Sequence, residues 1–304
     1  MSHIAVVINP VAGNGFGKRA WQILQPGLHA MFQKISSRMS NHADDIGIMT
    51  RDLLSAKPDY LLIVGGDGTL SQVVNSLFQD EKQLSPETRL AFFNCGCGGD
   101  FVRQFPAQKI TEFLDRLAHN QYITTNIGQI RFGDQRVKYF VNIASVGMSA
   151  QVVVNASKGG WLKKLGGSVF YFIHGLSALL RYKPGKVRIR CDNHPVETSD
   201  VWLIALCNGQ YFGGNMHIAP LARIDDDMLD VVTVLNFNRI KVMFKFIKIY
   251  TGRHLLEKQV HYMQAREVTL DTDQTDIPVE ADGEFLGYLP AAFTLIPGYL
   301  KLIV

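Results

Sequence analysis

Along the first 125 residues, short apolar runs alternate with amphipathic segments. Ile4, Ala5, Val6, Val7 and Ile8 form an unbroken run of strand length, and residues 60–64 and 90–93 form two more. Between them, residues 18–32 place Trp21, Leu24, Leu28 and Met31 on one helical face. Leu70, Val73, Val74, Leu77 and Phe78 recur at helical spacing, and residues 111–118 read as a further helix. Residues 45–50 read as a short strand and residues 51–56 as a short helix stopped by Pro58. This alternation predicts a parallel sheet with helices on its faces. From Asn126 the pattern becomes one of short strands separated by turn signals, over residues 127–132, 137–145, 186–190, 201–207, 229–235, 267–270, 278–281 and 300–304. Helical patterns over 162–182 and 239–251 interrupt them. The expectation is an α/β domain over 1–125 and a β-sandwich domain over 126–304.

Three glycine-rich turns follow strands of the first domain: residues 9–17, the turn Gly65-Gly66-Asp67-Gly68-Thr69, and residues 96–101. In a parallel sheet all three fall at the carboxyl edge, where ligands bind. The second opens directly into the helix carrying Leu70, so free backbone N–H groups and the positive end of the helix dipole point at one place. That is a phosphate site. Asp67 adds a carboxylate that a bare phosphate cradle does not need, which suggests a metal ligand or a group acting on a reacting hydroxyl.

Two acidic turns stand out in the second domain. Asp225, Asp226 and Asp227 are contiguous and cannot all face one point, so the segment reads either as a solvated turn or as one carboxylate plus backbone carbonyls around a hard cation. Asp282-Gly283 is a hairpin signal followed by Glu284, which reads either as an exposed turn glutamate or as a carboxylate aimed at a reacting proton.

The chain has 304 residues and a formal charge of +4, with ordinary hydrophobic content, which argues against disorder. Its basic residues cluster. Lys158, Lys163, Lys164, Arg181, Lys183, Lys186, Arg188 and Arg190 form one group, and Lys241, Lys245 and Lys248 another. Such groups suit an anionic surface. The second set shares one face of the 239–251 helix, which reads either as a membrane-lying basic helix or as a core helix with a solvated lysine face. Lys186, Arg188 and Arg190 share one side of a strand, as a solvated face or a second membrane contact. Trp161 beside Lys163 and Lys164 is either an interface anchor or buried. Nucleic-acid signatures are absent, so no nucleic acid is expected. Cys95, Cys97, Cys191 and Cys207 complete no zinc pattern and are expected as free thiols. The N-terminus enters a strand at once, and the apolar stretch near 169–180 is too short to span a bilayer, so the expectation is a cytoplasmic protein.

Taken in order, Asn9-Pro10 with Gly13, Gly65–Thr69, Asn142 with Gly147, Asn208-Gly209, Phe212-Gly213-Gly214, Ala219-Pro220, Asp225-Asp226 with Leu229-Asp230, and Asp282-Gly283-Glu284 resemble the diacylglycerol kinase catalytic-domain superfamily. That group includes bacterial lipid kinases and the sphingosine and ceramide kinases. The resemblance covers nearly the whole chain. It implies an NAD-kinase-like α/β nucleotide domain, a β-sandwich, and an active site in the cleft between them. It implies ATP and Mg²⁺ as cofactors and a lipid acceptor met at the inner membrane face. Carried over, Gly65, Gly66, Asp67, Gly68, Thr69, Leu70 and Ser71 would hold the ATP phosphates, with Asn9 and Thr50 lining the nucleotide. Asp67 would sit beside phosphates and metal. Asp226, with the carbonyls of Arg223 and Met228, matches the structural Mg²⁺ site. Glu284 matches the proton acceptor for the lipid hydroxyl. Oligomeric state is left open, with a homodimer among the options.

The chain departs from the family pattern at the third glycine turn. Asn94-Cys95 replaces the usual Pro-Leu, Cys97 replaces a threonine whose hydroxyl would meet the nucleotide, and Gly99 replaces an asparagine. Asn126 stands where an aspartate is common, and Asp227 where a turn glycine is common. These changes keep two other readings open. One is an NAD kinase, which shares the Gly65–Thr69 turn but would need an Asn-Glu pair in mid-chain that is not found. The other is a catalytically weak nucleotide- or lipid-binding regulator.

Overall fold

The computed structural model describes residues 3–107, 109–158 (side chains to 156), 182–235 and 245–304. Trp161, Lys163, Lys164, Arg181, Lys241 and the helix expected over 162–182, Tyr182 excepted, lie outside the described residues. Two compact units are present, residues 1–125 with 298–304, and residues 126–297.

The first unit is built on β1 (His3–Ile8), α1 (Ala12–Met31), β2 (Lys34–Met39), α2 (Asp45–Ser55), β3 (Tyr60–Gly65), α3 (Asp67–Ser76), the short hairpin β4 (Phe78–Gln79) and β5 (Lys82–Gln83), β6 (Arg89–Asn94) and α4 (Ile110–Ala118). The order β2-β1-β3-β6 is parallel throughout. Strand β3 is buried at every position, as a central parallel strand covered on both faces is. Trp21, Leu24 and Leu28 of α1 pack with Phe113 and Leu117 of α4 against Ile4, Val6, Leu62 and Val64.

Three expectations for this unit need correction. Residues 45–50 are not a strand but the first half of α2, because Ile46, Thr50, Leu53 and Leu54 are buried at helical spacing while Ile48 is exposed. Strand β2 was missed because it has no buried residue. Backbone pairing with β1 alone defines it, as at a sheet edge. Residues 298–304 belong here rather than with the second unit, since Leu302 and Ile303 pair in parallel with Leu90 and Ala91 and are fully buried.

The second unit contains β7 (Ile123–Phe132), β8 (Val137–Phe140), β9 (Ile143–Gly147), α5 (Met148–Lys158), β10 (Gly185–Cys191), β11 (Glu197–Cys207), the hairpin β12 (Tyr211–Phe212) and β13 (Met216–His217), β14 (Leu229–Leu235), β15 (Val260–Ala265), β16 (Glu267–Asp271), β17 (Pro278–Ala281), β18 (Glu284–Tyr288) and the start of β19 (Ala291–Ile303). Its pairings are antiparallel, in the order β18-β17-β9-β11-β10-β16-β19, with β14 and β15 extending from β11 and β8 pairing β7. Strand β10 alternates buried Val187, Ile189 and Cys191 with Lys186, Arg188 and Arg190 on the other face. There Arg188 holds Asp271 at 3.0 Å and Asp273 at 2.9 Å. The single strand expected over 137–145 is two, because the chain turns at Val141-Asn142 to join a different neighbour.

The basic helix expected over 239–251 also changes. Its described end, Phe246–Thr251, is a three-ten segment followed by another at Arg253–Leu256. Lys245 and Lys248 do not form an open cationic face, since both ammonium groups pair with Glu257. Among the described residues, no helix is long and apolar enough to cross a membrane.

Candidate active site

In the first unit the three glycine turns meet. Added Cβ atoms at Gly13 and Gly17 would run into the carbonyls of Cys95 and Asn9. A Cβ at Gly96 would lie 2.7 Å from the Cα of Gly66, so the second and third turns touch backbone to backbone. The Cys95 N–H donates to the Gly65 carbonyl at 2.6 Å, and the Asn9 amide donates to the Thr69 hydroxyl at 3.0 Å. Gly13 and Gly15 lie in left-handed backbone (φ 57° and 90°), so the regular part of α1 starts only after the first turn.

Helix α3 opens at this junction. Gly66 precedes it in extended conformation, and no side chain caps it. The Thr69 and Leu70 N–H groups donate to the Gly66 carbonyl, so the donors that face an anion are those ahead of them, at Asp67 and Gly68. Gly68 is exposed, with nothing within 4 Å of where its Cβ would be. Leu70 and Ser71 are buried on α3, and the Leu70 N–H already donates to the Gly66 carbonyl at 3.0 Å, so these two build the first turn rather than offer donors to a ligand. Thr50 is fully buried, and its hydroxyl donates to the Ile46 carbonyl at 2.7 Å. Its side chain is thus turned into its own helix.

Asp67, in the first turn of α3, accepts the Asp100 N–H at 3.1 Å through Oδ2. Its Oδ1 is sealed from solvent and has no partner. Burial and then the nearby Asp100 charge push its pKa up to about 6, against the pull of the Gly99, Asp100 and Phe101 N–H groups. A carboxylate raised in this way, with one oxygen unsatisfied, gains from a cation.

The departures in the third turn are related in space. Gly99 lies at φ 59°, and a Cβ there would be 2.7 Å from the Asn94 side-chain nitrogen. The Asn94 amide fills the room that a side chain at 99 would need, and its oxygen accepts the Gly96 N–H at 3.0 Å. Cys97 is exposed and carries a free thiol, while burial pushes the Cys95 thiol up to about 12.

In the second unit, the three contiguous aspartates diverge. Asp225 pairs with Arg223 at 3.2 Å, Asp226 accepts the Met228 N–H at 3.1 Å, and Asp227 occupies left-handed backbone (φ 60°). Asp230 is fully buried, with Oδ2 unpartnered. Burial and then the Asp226 charge raise its pKa to about 7. Two neighbouring carboxylates, one with an orphaned oxygen, are a donor set that fits a hard cation. Among the described residues no cluster of three His, Cys, Asp or Glu side chains is placed for a metal, so backbone carbonyls would complete the shell.

The turn before Glu284 is held from both sides. Asp282 (φ 49°) accepts the N–H groups of Val141 at 2.9 Å and of Asn142 and Ile143 at 3.1 Å. Buried Asn208 donates to the carbonyls of Asn126 and Val141, and the Asn126 N–H donates to Ile224, so Asn126 ties β7 to the acidic turn. Glu280 is buried, donated to by the Ser145 hydroxyl and, at 3.0 Å, by the Gly283 N–H. Sequence reasoning missed roles for Asn94, Asp230 and Glu280. For Glu280 the only signal was a carboxylate inside the short strand pattern of 278–281.

An α/β unit with glycine turns around an uncapped helix, joined to an antiparallel sandwich unit, is the fold class of diacylglycerol kinases and NAD kinases. The chain aligns with the crystal structure of a diacylglycerol kinase from Bacillus anthracis str. Sterne (TM-score 0.72, 21% identity, 99% of this chain and 96% of that one). It also aligns, more distantly, with an NAD kinase from Archaeoglobus fulgidus in complex with ATP (TM-score 0.52, 12% identity, 100% and 94%). Residues 3–130 match the diacylglycerol kinase catalytic domain, and residues 142–304 match the YegS C-terminal NAD kinase beta sandwich-like domain. The chain belongs to this family of bacterial diacylglycerol kinase-like lipid kinases. Among its relatives, the "Putative lipid kinase YtlR" of Bacillus subtilis (strain 168) is 28% identical, covering 99% of each chain. The diacylglycerol kinase of the same organism is 25% identical, covering 100% of this chain and 97% of its own. Membership supports a kinase of the lipid class.

Proposed function

We propose that this protein is an ATP-dependent lipid kinase that transfers the γ-phosphoryl group to a hydroxyl of a diacylglycerol-like lipid. The observation that carries the reading is the meeting of three glycine turns at an uncapped helix N-terminus, beside a carboxylate with one unsatisfied oxygen. Gly65, Gly66, Gly68 and Thr69 hold the phosphates, Leu70 and Ser71 anchor that turn from the buried side of α3, and Asn9, through its bond to Thr69, shapes the nucleotide side. Cys97 offers an exposed thiol there in place of a hydroxyl. Asn94 supplies the amide that position 99 lacks. Asp67 lies beside the phosphates, where a bound Mg²⁺ would neutralise charge developing in transfer. Asp226, with the carbonyls of Arg223 and Met228 and with buried Asp230 behind it, would hold a structural Mg²⁺. Glu284 accepts the proton of the lipid hydroxyl as that oxygen attacks phosphorus. Exposed Leu221, Ile247 and Leu256 support contact with a lipid surface.

The test is transfer of labelled γ-phosphate from ATP with Mg²⁺ to micellar diacylglycerol, phosphatidylglycerol, sphingosine and ceramide, with NAD as a competing acceptor. Label is expected in one lipid, with a fall of roughly 10²–10⁴-fold in Glu284→Gln, as loss of a general base produces. Label in NAD would select the NAD kinase reading, which the likeness to the archaeal enzyme keeps in play. ATP bound without transfer to any acceptor would select the binding-protein reading and point to Cys97, Gly99 and Asn126.

A further inference from the structure

Glu280 is 3% exposed, on a strand whose four residues are all buried. Its surroundings come from four elements. Ser145 of β9 lies opposite it in register, Ser149 of α5 donates to the Ser145 hydroxyl at 2.6 Å, Cys207 of β11 senses its charge, and Asp282 and Gly283 form the turn beyond it. Both oxygens are used. Oε1 accepts from Ser145, at the end of a chain that starts at Ser149, and Oε2 accepts the Gly283 N–H at 3.0 Å. These donors are neutral.

A carboxylate buried among neutral groups is costly. Glutamine would fill the same space without that cost, but it has one acceptor oxygen where two donors converge. What the second oxygen adds is the hold on Gly283, the residue before Glu284. Asp282 fastens the same turn to the start of β9 through three N–H groups, while Ala281 and Glu284 face each other across the hairpin. Gly283 lies at φ 82°, a conformation that glycine enters and leaves freely, so the acceptor oxygen supplies a hold that the residue itself does not.

We propose that Glu280 is a positioning residue: through the Ser149–Ser145–Glu280–Gly283 chain it fixes the turn that aims the Glu284 carboxylate at the reacting hydroxyl. The inference rests on the lipid-kinase reading and adds a second carboxylate to it, one that touches no substrate. Burial and the neighbouring Asp282 charge also raise the Glu280 pKa to about 7, so its two-acceptor form strengthens as pH rises through neutrality.

The experiment compares full-length wild type, Glu280→Gln and Ser145→Ala on the lipid acceptor found in the panel. Amide exchange at Gly283 is followed in parallel. Glu280→Gln is expected to lower kcat roughly 10–100-fold with KM for ATP within about twofold, the pattern of a group acting only on the chemical step. Its Gly283 exchange is expected to quicken at least about tenfold while that of β1 and β3 stays unchanged. Ser145→Ala keeps the carboxylate and is expected to show the same KM-against-kcat split, more weakly. It decides the matter if Glu280→Gln fails to fold. A Glu280→Gln enzyme turning over within twofold of an active wild type overturns the inference while leaving the kinase intact, as does unchanged Gly283 exchange. A wild type silent on every lipid overturns the kinase reading and, with it, this role.

Discussion

The two units present their candidate chemistry in opposite ways. The first offers backbone, since the glycine turns bring N–H groups together by having no side chains at Gly13, Gly66 and Gly96. The second offers carboxylates, with Asp226, Asp230, Glu280 and Asp282 placed by strands distant in sequence. Missing side chains let backbone approach backbone, and the site then tolerates almost no added volume. A carboxylate site tolerates volume but is sensitive to charge. Steric changes should therefore break the first unit, and charge changes the second.

The largest effect is expected from Gly96→Ala. Its methyl would sit 2.7 Å from the Gly66 Cα, so the two turns must part. A loss of roughly 1–3 kcal/mol in stability, as overpacking gives, should accompany a loss of ATP affinity larger than stability explains. Thermal unfolding with and without ATP measures both, and an alanine variant that binds ATP normally would remove backbone contact as the organising feature. Next is Asp226→Ala, which should reduce stabilisation by added Mg²⁺ while leaving ATP binding within a few fold. An unchanged Mg²⁺ titration of the melting temperature would take this site out of the account.

Asp67→Asn is expected to have the smallest stability effect, and it cuts across the comparison because it is a charge change in the backbone-built unit. The Asp67 pKa is raised to about 6, so the folded state holds its proton more tightly than the unfolded chain. Wild type thus loses stability as pH rises from the ordinary carboxylate range through 6, and the asparagine variant does not. Without metal, the variant should melt several degrees higher than wild type at pH 7.5 and about equally at pH 4, while phosphoryl transfer is lost. An equal difference at both pH values would mean that Asp67 is not held charged against its surroundings.

The parallel sheet was legible because its strands are buried on both faces and read as continuous apolar runs. Tyr60–Gly65 shows this, and α3 was legible for a different reason, since Leu70, Val73 and Val74 keep helical spacing. Strand β2 was not legible, because an edge strand held by backbone pairing leaves no mark in side-chain pattern. Residues 45–50 failed for the opposite reason. Ile46 and Ile48 alternate like a strand, and only burial distinguishes the one that faces the core. In the second unit the positions of β14 and β17 could be read directly, but their partners could not. The Lys245–Glu257–Lys248 pairing likewise joins segments that fold together only after the chain has turned at Gly252.

The sequence by itself determined that a glycine turn carrying Asp67 opens into a helix at Gly65–Thr69 and that two kinds of domain follow one another. Those are properties of local spacing, and local spacing sets backbone conformation and dipoles. Tertiary structure decided that the three glycine turns touch, that Asn94 stands in the space Gly99 leaves, that Thr50 points into its own helix, and that Glu280 is buried with two donors. Each of these depends on which groups lose water together, and that follows from how distant strands pair rather than from any one stretch of chain.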